Sequence, residues 1–244
     1  MPKNSNTLYR TPFSAAYWRD ALRSFRDLRG MMFAALMIAA CIILSKFSIP
    51  ILDGPKITFG YLARALCALV YGPIGVVVFA VAEDTMSFLL SNKGYIYFPG
   101  YMITTAIGCF IYALFFYRAR ITLSRIFFAK LLTNLLNIFL GALWNAILYG
   151  KGYLYYMSTS AVKNAVMLIP QVTLLLLLFQ ALLPILQRMG IIPKQVDGPI
   201  MGDKPVQKAV LLAVQVLLLL AAFVAVLLVL RNMGLWDGGI PFIK

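Results

Sequence analysis

The stretch ITFGYLARALCALVYGPIGVVVFAVAEDTMSFLL, residues 57–90, decides the fold. It holds two apolar runs, Ile57 to Tyr71 and Ile74 to Leu90, separated by Gly72-Pro73. A Gly-Pro pair ends one helix and opens the next, because proline cannot continue the hydrogen-bond ladder. Neither run has the polar face of a helix lying on a water-soluble core, so both read as membrane helices. Only Arg64, Glu83 and Asp84 interrupt them. A charge at mid-bilayer costs at least about 2.5 kcal/mol unless it is paired or faces a wet cavity. Arg64 falls roughly 12–13 Å up its helix from the turn, and Glu83 and Asp84 roughly 15–16 Å up the next. Antiparallel neighbours therefore bring one base and two acids to about the same depth. Two readings stay open: an ion pair that joins the helices, or a site in which the spare carboxylate accepts from a ligand's N–H groups.

The whole chain agrees with a membrane fold. Of 244 residues, 62% are apolar and 12% charged, and the mean hydropathy is +0.86, whereas soluble domains carry about 25% charged residues. The chain has no His and one Glu, which excludes a His-metal centre and a Ser-His-Asp triad. Cys41, Cys67 and Cys109 lie far apart in apolar runs with no CxxC pair, so they read as small buried side chains, not as thiolate zinc ligands. No catalytic residue, cofactor or metal is expected.

Outward from residues 57–90, further spans read from about Met31 to Phe47, Pro99 to Tyr117, after Arg125 to Tyr149, and Ala161 to Leu186. Pro170 and Pro184 are expected to kink the last of these. Lys151 to Ser160 reads as a Tyr-rich loop. The expected fold class is all-α: a six-helix bundle plus an additional C-terminal hydrophobic helix. Its parts are a basic arm (1–30), a six-helix membrane domain (31–188), a linker (189–207), and the extra helix with its tail (208–244). In the arm, residues 13 to 29 read as an amphipathic helix. Trp18, Leu22, Phe25 and Leu28 share one face and Arg19, Arg23 and Arg26 another, a pattern suited to the bilayer interface.

The net charge of +14 would suit a nucleic-acid partner, but its distribution argues for topology. With the N-terminus inside, fourteen Lys and Arg fall in cytoplasmic segments, Lys130 among them, and seven fall outside, Lys163 among them. That excess sets the N-terminus in the cytoplasm of a multi-pass plasma-membrane protein, with the lipid bilayer as a partner and no nucleic acid. The fifth span adds Asn137, Gly141, Trp144 and Asn145 at i, i+4, i+7 and i+8, one face. Such a face is either interhelical glue or the wall of a polar pocket. No Gly-rich phosphate loop is present, so any uphill transport needs an outside source of energy.

From Ala34 to Lys163 the chain resembles the folate-family S component, the substrate-binding membrane subunit, of energy-coupling-factor (ECF) vitamin transporters. The resemblance rests on Ile42-Ile-Leu-Ser-Lys46, Ile57-Thr-Phe-Gly-Tyr61, Tyr71-Gly-Pro-Ile-Gly75 and Ala82-Glu-Asp84. It continues through Tyr97-Phe-Pro-Gly-Tyr-Met102, Ile111-Tyr-Ala-Leu114, Asn134 through Trp144, Leu148-Tyr-Gly150, and Lys163 to Pro170. It implies a subunit that binds a vitamin, most of all folate, at the outer face. The subunit then docks through Ala35 and Ala39 of its first helix onto a transmembrane coupling protein carrying two ABC ATPases. It implies gates over residues 48–56 and 91–97. Glu83 or Asp84 would hold the pteridine edge. Asn137, Trp144, Asn145, Tyr97 and Phe98 would line the pocket, and Lys163, Lys56 or Arg64 would take the carboxylates. Relatives tend to carry an Arg just before that Lys; here the stretch reads Ser158-Thr-Ser-Ala-Val-Lys163, so Lys163 or Arg64 would replace it.

Three rival readings differ in cargo or class. Another S component would carry a queuosine precursor, riboflavin or pantothenate. A membrane enzyme acting on lipids or isoprenoids would need more than one acidic pair to hold a metal. A non-transporting membrane scaffold would use the ion pair only to hold its helices together.

Overall fold

The computed structural model describes residues 8, 15–23, 28–46, 49–50, 56–57, 59–90, 97–150 and 152–193. The expected C-terminal hydrophobic helix, the linker beyond residue 193, and gate residues 48, 51–55 and 91–96 lie outside the described residues. The described chain is helical: α1 (Ala15–Arg23), α2 (Leu28–Lys46), α3 (Gly60–Leu90), α4 (Pro99–Phe116), α5 (Leu123–Tyr149) and α6 (Tyr153–Arg188). A two-residue antiparallel ladder between α2 and α3, β1 (Ile49–Pro50) and β2 (Lys56–Ile57), pairs Ile49 with Ile57 and Pro50 with Lys56.

Helix α3 is a hairpin in one piece. Its backbone departs from helical geometry at Gly72, with φ 71° and ψ −175°, a region open essentially to glycine alone. Pro73 follows, at the first position of the second arm, where its missing N–H costs nothing. Arg64 and Glu83 are 19 residues apart, and their side chains meet at 3.0 Å. A straight helix would hold those backbones about 28 Å apart, so the arms must fold back on each other. With α3 counted as two arms, six helical rods stand where six spans are expected. By length and composition Pro99–Phe116, Leu123–Tyr149 and Met167–Arg188 can each cross a membrane, and the two arms of Gly60–Leu90 are as apolar. Large apolar side chains such as Val78, Leu89, Phe128, Leu132, Phe139 and Ile169 point outward, the inside-out pattern of a lipid-facing surface.

The core runs along α3, where Tyr71, Val76, Phe79 and Ala80 pack against Tyr112, Ala113 and Phe116 of α4 and Leu175 and Phe179 of α6. Helix caps set the ends. Thr122 accepts from the Arg125 N–H at the start of α5, and Gly150 closes it in the left-handed conformation. Contacts bring α1, the start of α2, the Gly72 turn and the end of α4 to one end of the bundle. Tyr17 Oη donates to the Ala113 carbonyl at 3.1 Å, and Tyr71 Oη donates to the Gly30 carbonyl. A Cβ at Gly72 would touch the Tyr117 ring at 3.0 Å. Leu69, Arg118, Ala119, Leu183 and Ile192 close the same end.

The structure corrects three sequence expectations. Residues 153–160 are the first turns of α6, not a loop. At about 1.5 Å per residue, α6 is roughly 54 Å long and overruns a hydrocarbon core of about 30 Å. Hydropathy falls there because the helix leaves the apolar layer, while Tyr side chains suit the interface. Lys130 is no loop charge: it lies within α5 and is 3% exposed. Lys163 likewise belongs to α6 and is half-buried. The stripe that α1 buries is also shifted by one residue from the expected face. Tyr17 and Ala21 are buried, Tyr17 packs edge-on against Tyr117 at 5.2 Å, and Trp18 meets Phe110 at 6.2 Å.

Candidate functional site

The two arms of α3 carry the first part of the site. Arg64 Nε donates to Glu83 Oε2 at 3.0 Å and Nη2 to Oε1 at 3.1 Å, so both carboxylate oxygens are engaged in a fork. Ser87 Oγ adds a bond to Oε1 at 3.4 Å. Glu83 is buried, and 29% of the Arg64 side chain remains accessible. Asp84, one residue on, is half-buried and makes no hydrogen bond or ion pair among the described residues. The spare acceptor implied by two acids and one base is therefore Asp84.

Helix α5 supplies the opposite wall. Leu132, Leu135, Phe139 and Leu143 form its outward stripe. At about 100° per residue, Asn137 and Gly141 sit roughly 160° around the helix from that stripe, facing the bundle. Yet Asn137 is exposed, and a Cβ built at Gly141 would meet nothing within 4 Å. The inward face of α5 is thus open over this length, where close packing would otherwise be expected.

Above and below the opening the same face is closed. Toward the α5 C-terminus, Trp144 Nε1 donates to Thr104 Oγ1 at 2.9 Å, and its ring meets Phe98 edge-on at 5.6 Å. Tyr101 Oη donates to Asn145 Oδ1 at 2.6 Å. Phe88 packs against Tyr97 at 5.0 Å, and Tyr97 Oη donates to Met102 Sδ at 3.2 Å. The wall stands because Gly100 has no side chain: a Cβ there would strike the Phe98 ring and come within 2.7 Å of Trp144. Toward the α5 N-terminus, Lys130 Nζ donates to Tyr112 Oη at 3.3 Å and lies 4.1 Å from the centre of the Tyr61 ring. Thr133 Oγ1 donates to the same Tyr112 oxygen at 3.3 Å. Asn134 ties α5 to α6 through Gln171 Oε1 at 3.3 Å and the Asn164 carbonyl at 3.4 Å.

The structure therefore joins Arg64 to Glu83, with Asp84 beside them, and sets Phe98, Trp144 and Tyr97 in an aromatic wall to which Asn145 is tied through Tyr101. Lys163 lies within electrostatic reach of Lys130, as does Arg64. Lys56 is placed on β2, and its side chain lies outside the described residues. Sequence reasoning did not single out Lys130, Tyr61, Tyr112, Thr104 or Tyr101. The signal for Lys130 was available: it lies seven residues before Asn137 on the polar face. The cysteines are free and buried, and among the described residues no group of acids and thiols could hold a metal.

Comparison with known proteins adds identity to this geometry. Residues 27–188 match the family model of the ECF-type riboflavin transporter, S component. A folate transporter FolT from Clostridium novyi is 30% identical over 141 residues, covering 56% of this chain and 80% of the relative. A folate transporter FolT from Leuconostoc mesenteroides is 25% identical over 148 residues, covering 58% and 79%. Among solved structures, FolT bound with folic acid superposes with a TM-score of 0.55 at 26% identity, covering 59% of this chain and 88% of that one.

Proposed function

We propose, since the chain belongs to the ECF-type riboflavin transporter S-component family, that it is the substrate-binding subunit of an ATP-driven vitamin importer and that its cargo is folate-like. The observation that carries this reading is the open stretch at Asn137 and Gly141 on the inward face of α5. An opening walled by aromatic rings at one end and lined by charge at the other suits a flat heteroaromatic head with an ionised tail.

Charge separates the candidate vitamins. Counted together, Arg64, Lys130 and Lys163 against Glu83 and Asp84 leave one positive charge over when all are ionised. Folate brings carboxylates to meet it, whereas a flavin nucleoside brings none. Asp84 is the acceptor for N–H groups on the pteridine edge, and Trp144 and Phe98 flank the ring. The folate transporters among its relatives favour the same cargo. Riboflavin is the second reading, favoured by the description of the family model.

Delivery follows from the outer surface of α2. Ala35 and Ala39 are exposed with Leu36 and Ile43 on the same side. Small residues of this kind let another helix approach closely, which suits docking onto a transmembrane coupling protein that carries the two ABC ATPases. Arg118, Arg120, Arg125 and Arg188 sit at the end that holds α1. The excess of positive charge orients that end, and the N-terminus with it, to the cytoplasm. The ligand then enters from the opposite, outer end, beside residues 48–56 and 91–97. The six-helix unit is residues 31–188, and the linker (189–207) and the extra hydrophobic helix with its tail (208–244) stay as the sequence reading has them.

Calorimetric titration of the detergent-purified protein with folic acid and with riboflavin is the test. Micromolar or tighter binding of folic acid is expected, with riboflavin at least tenfold weaker. No folic acid binding at micromolar concentration rejects the cargo, and tight riboflavin binding installs the second reading.

A further inference from the structure

Among the described residues, Lys130 is the one buried cation that the ion pair of α3 does not absorb. It is 3% exposed and forms no ion pair among the described residues. Its ammonium has three donors. One reaches Tyr112 Oη, the Tyr61 ring takes a second contact through its π face, and the third has no acceptor among the described residues. The charges that act on it, Arg64 and Lys163, carry the same sign. A buried ammonium is costly without an anion, and like charges beside it add to the cost.

Its place on α5 shows where the anion would come from. Lys130, Asn134, Asn137 and Gly141 follow at i, i+4, i+7 and i+11 on the inward face. Lys130 thus lies about 10 Å along the helix from Asn137, where the face opens. Tyr61 and Tyr112 close the space around it, and Thr133 orients the Tyr112 hydroxyl.

We propose that Lys130 is a carboxylate-binding residue at the closed end of the opening, and that through it the protein selects an anionic ligand over a neutral one with the same ring. The proposal rests on the binding reading above. A ligand carboxylate here accepts the third ammonium proton, and a neutral ligand leaves that donor unsatisfied.

The test compares folic acid with 6-hydroxymethylpterin, which keeps the pteridine head and lacks carboxylates, on wild type, Lys130→Met and Lys130→Arg. Met fills a similar volume without charge, and Arg keeps the charge. Lys130→Met is expected to weaken folic acid at least tenfold, the scale of a charge-assisted hydrogen bond, and to leave the pterin within about twofold. Lys130→Arg restores most of the folic acid affinity. Each variant is checked for a monodisperse elution profile, and Lys130→Gln serves if Met does not fold. Unchanged folic acid affinity in Lys130→Met, or an equal loss for both compounds, overturns the Lys130 assignment alone. Wild-type protein that binds neither compound overturns the folate reading and this assignment together.

Discussion

Replacing Glu83 by Gln tests whether the fork in α3 holds the hairpin or serves the ligand. The amide keeps the shape and removes the charge. Arg64 then loses the carboxylate at 3.0 and 3.1 Å, with Lys130 within electrostatic reach and Asp84 the acid that remains near it. Breaking a buried pair from one side costs about 3–5 kcal/mol. In a chain of this size, 1 kcal/mol moves the midpoint by about 2–4 °C, so a drop of about 6–20 °C is expected. Replacing both partners, Arg64→Met with Glu83→Leu, is expected to recover most of that loss, because an apolar pair of similar volume needs no desolvation. Thermal unfolding followed by a thiol-reactive dye suits this chain, since Cys41, Cys67 and Cys109 are buried. Folic acid titration of the stable double variant then separates the roles. Retained affinity makes the fork a structural clamp, and lost affinity in a stable protein makes Arg64 a ligand contact. A shift below about 2 °C in Glu83→Gln, or a double variant as unstable as the single one, would mean that the fork does not hold the hairpin.

Three further substitutions probe the site and the turn. Gly141→Leu gains helix propensity of about 0.8 kcal/mol and meets no neighbour; it should hold or raise the unfolding midpoint yet weaken folic acid at least tenfold, and unchanged affinity would place the ligand elsewhere. Gly100→Ala drives a methyl group into Phe98 and Trp144, so a red-shifted tryptophan emission and weaker binding are expected, and an unaltered spectrum would count against the wall. Gly72→Ala forces a side chain into φ 71° at about 1–3 kcal/mol, and a relieving Tyr117→Ala change should recover only the steric part, as read by the same thermal assay.

Much of the architecture was open to reading because membrane helices are written in composition. Apolar runs, the Gly72-Pro73 break and Pro99 at a helix start each fix backbone behaviour locally, and the structure follows them. Arg64 and Glu83 meet for the same reason: the rise per residue is constant, and a hairpin returns the chain to the same level. The Tyr-rich stretch at 153–160 misled, since polarity there reports distance from the bilayer centre and says nothing about whether the helix stops. Lys130 misled in the opposite sense. A lysine seven residues into a helix can reach outward to the headgroups or inward to a hydroxyl, and one sequence cannot choose between them.

By itself, then, the chain determined that this is a polytopic helical membrane protein, which residues could not be left bare in lipid, and which family it resembles. Those follow from free energies of transfer, which each residue carries wherever it sits. Tertiary structure alone decided that Arg64 engages both oxygens of Glu83 and leaves Asp84 over, that Lys130 meets Tyr112 and Tyr61, and that α5 stays open at Gly141. Those are contacts between segments far apart in the chain, and they depend on how helices rotate against one another, which packing sets and local sequence does not.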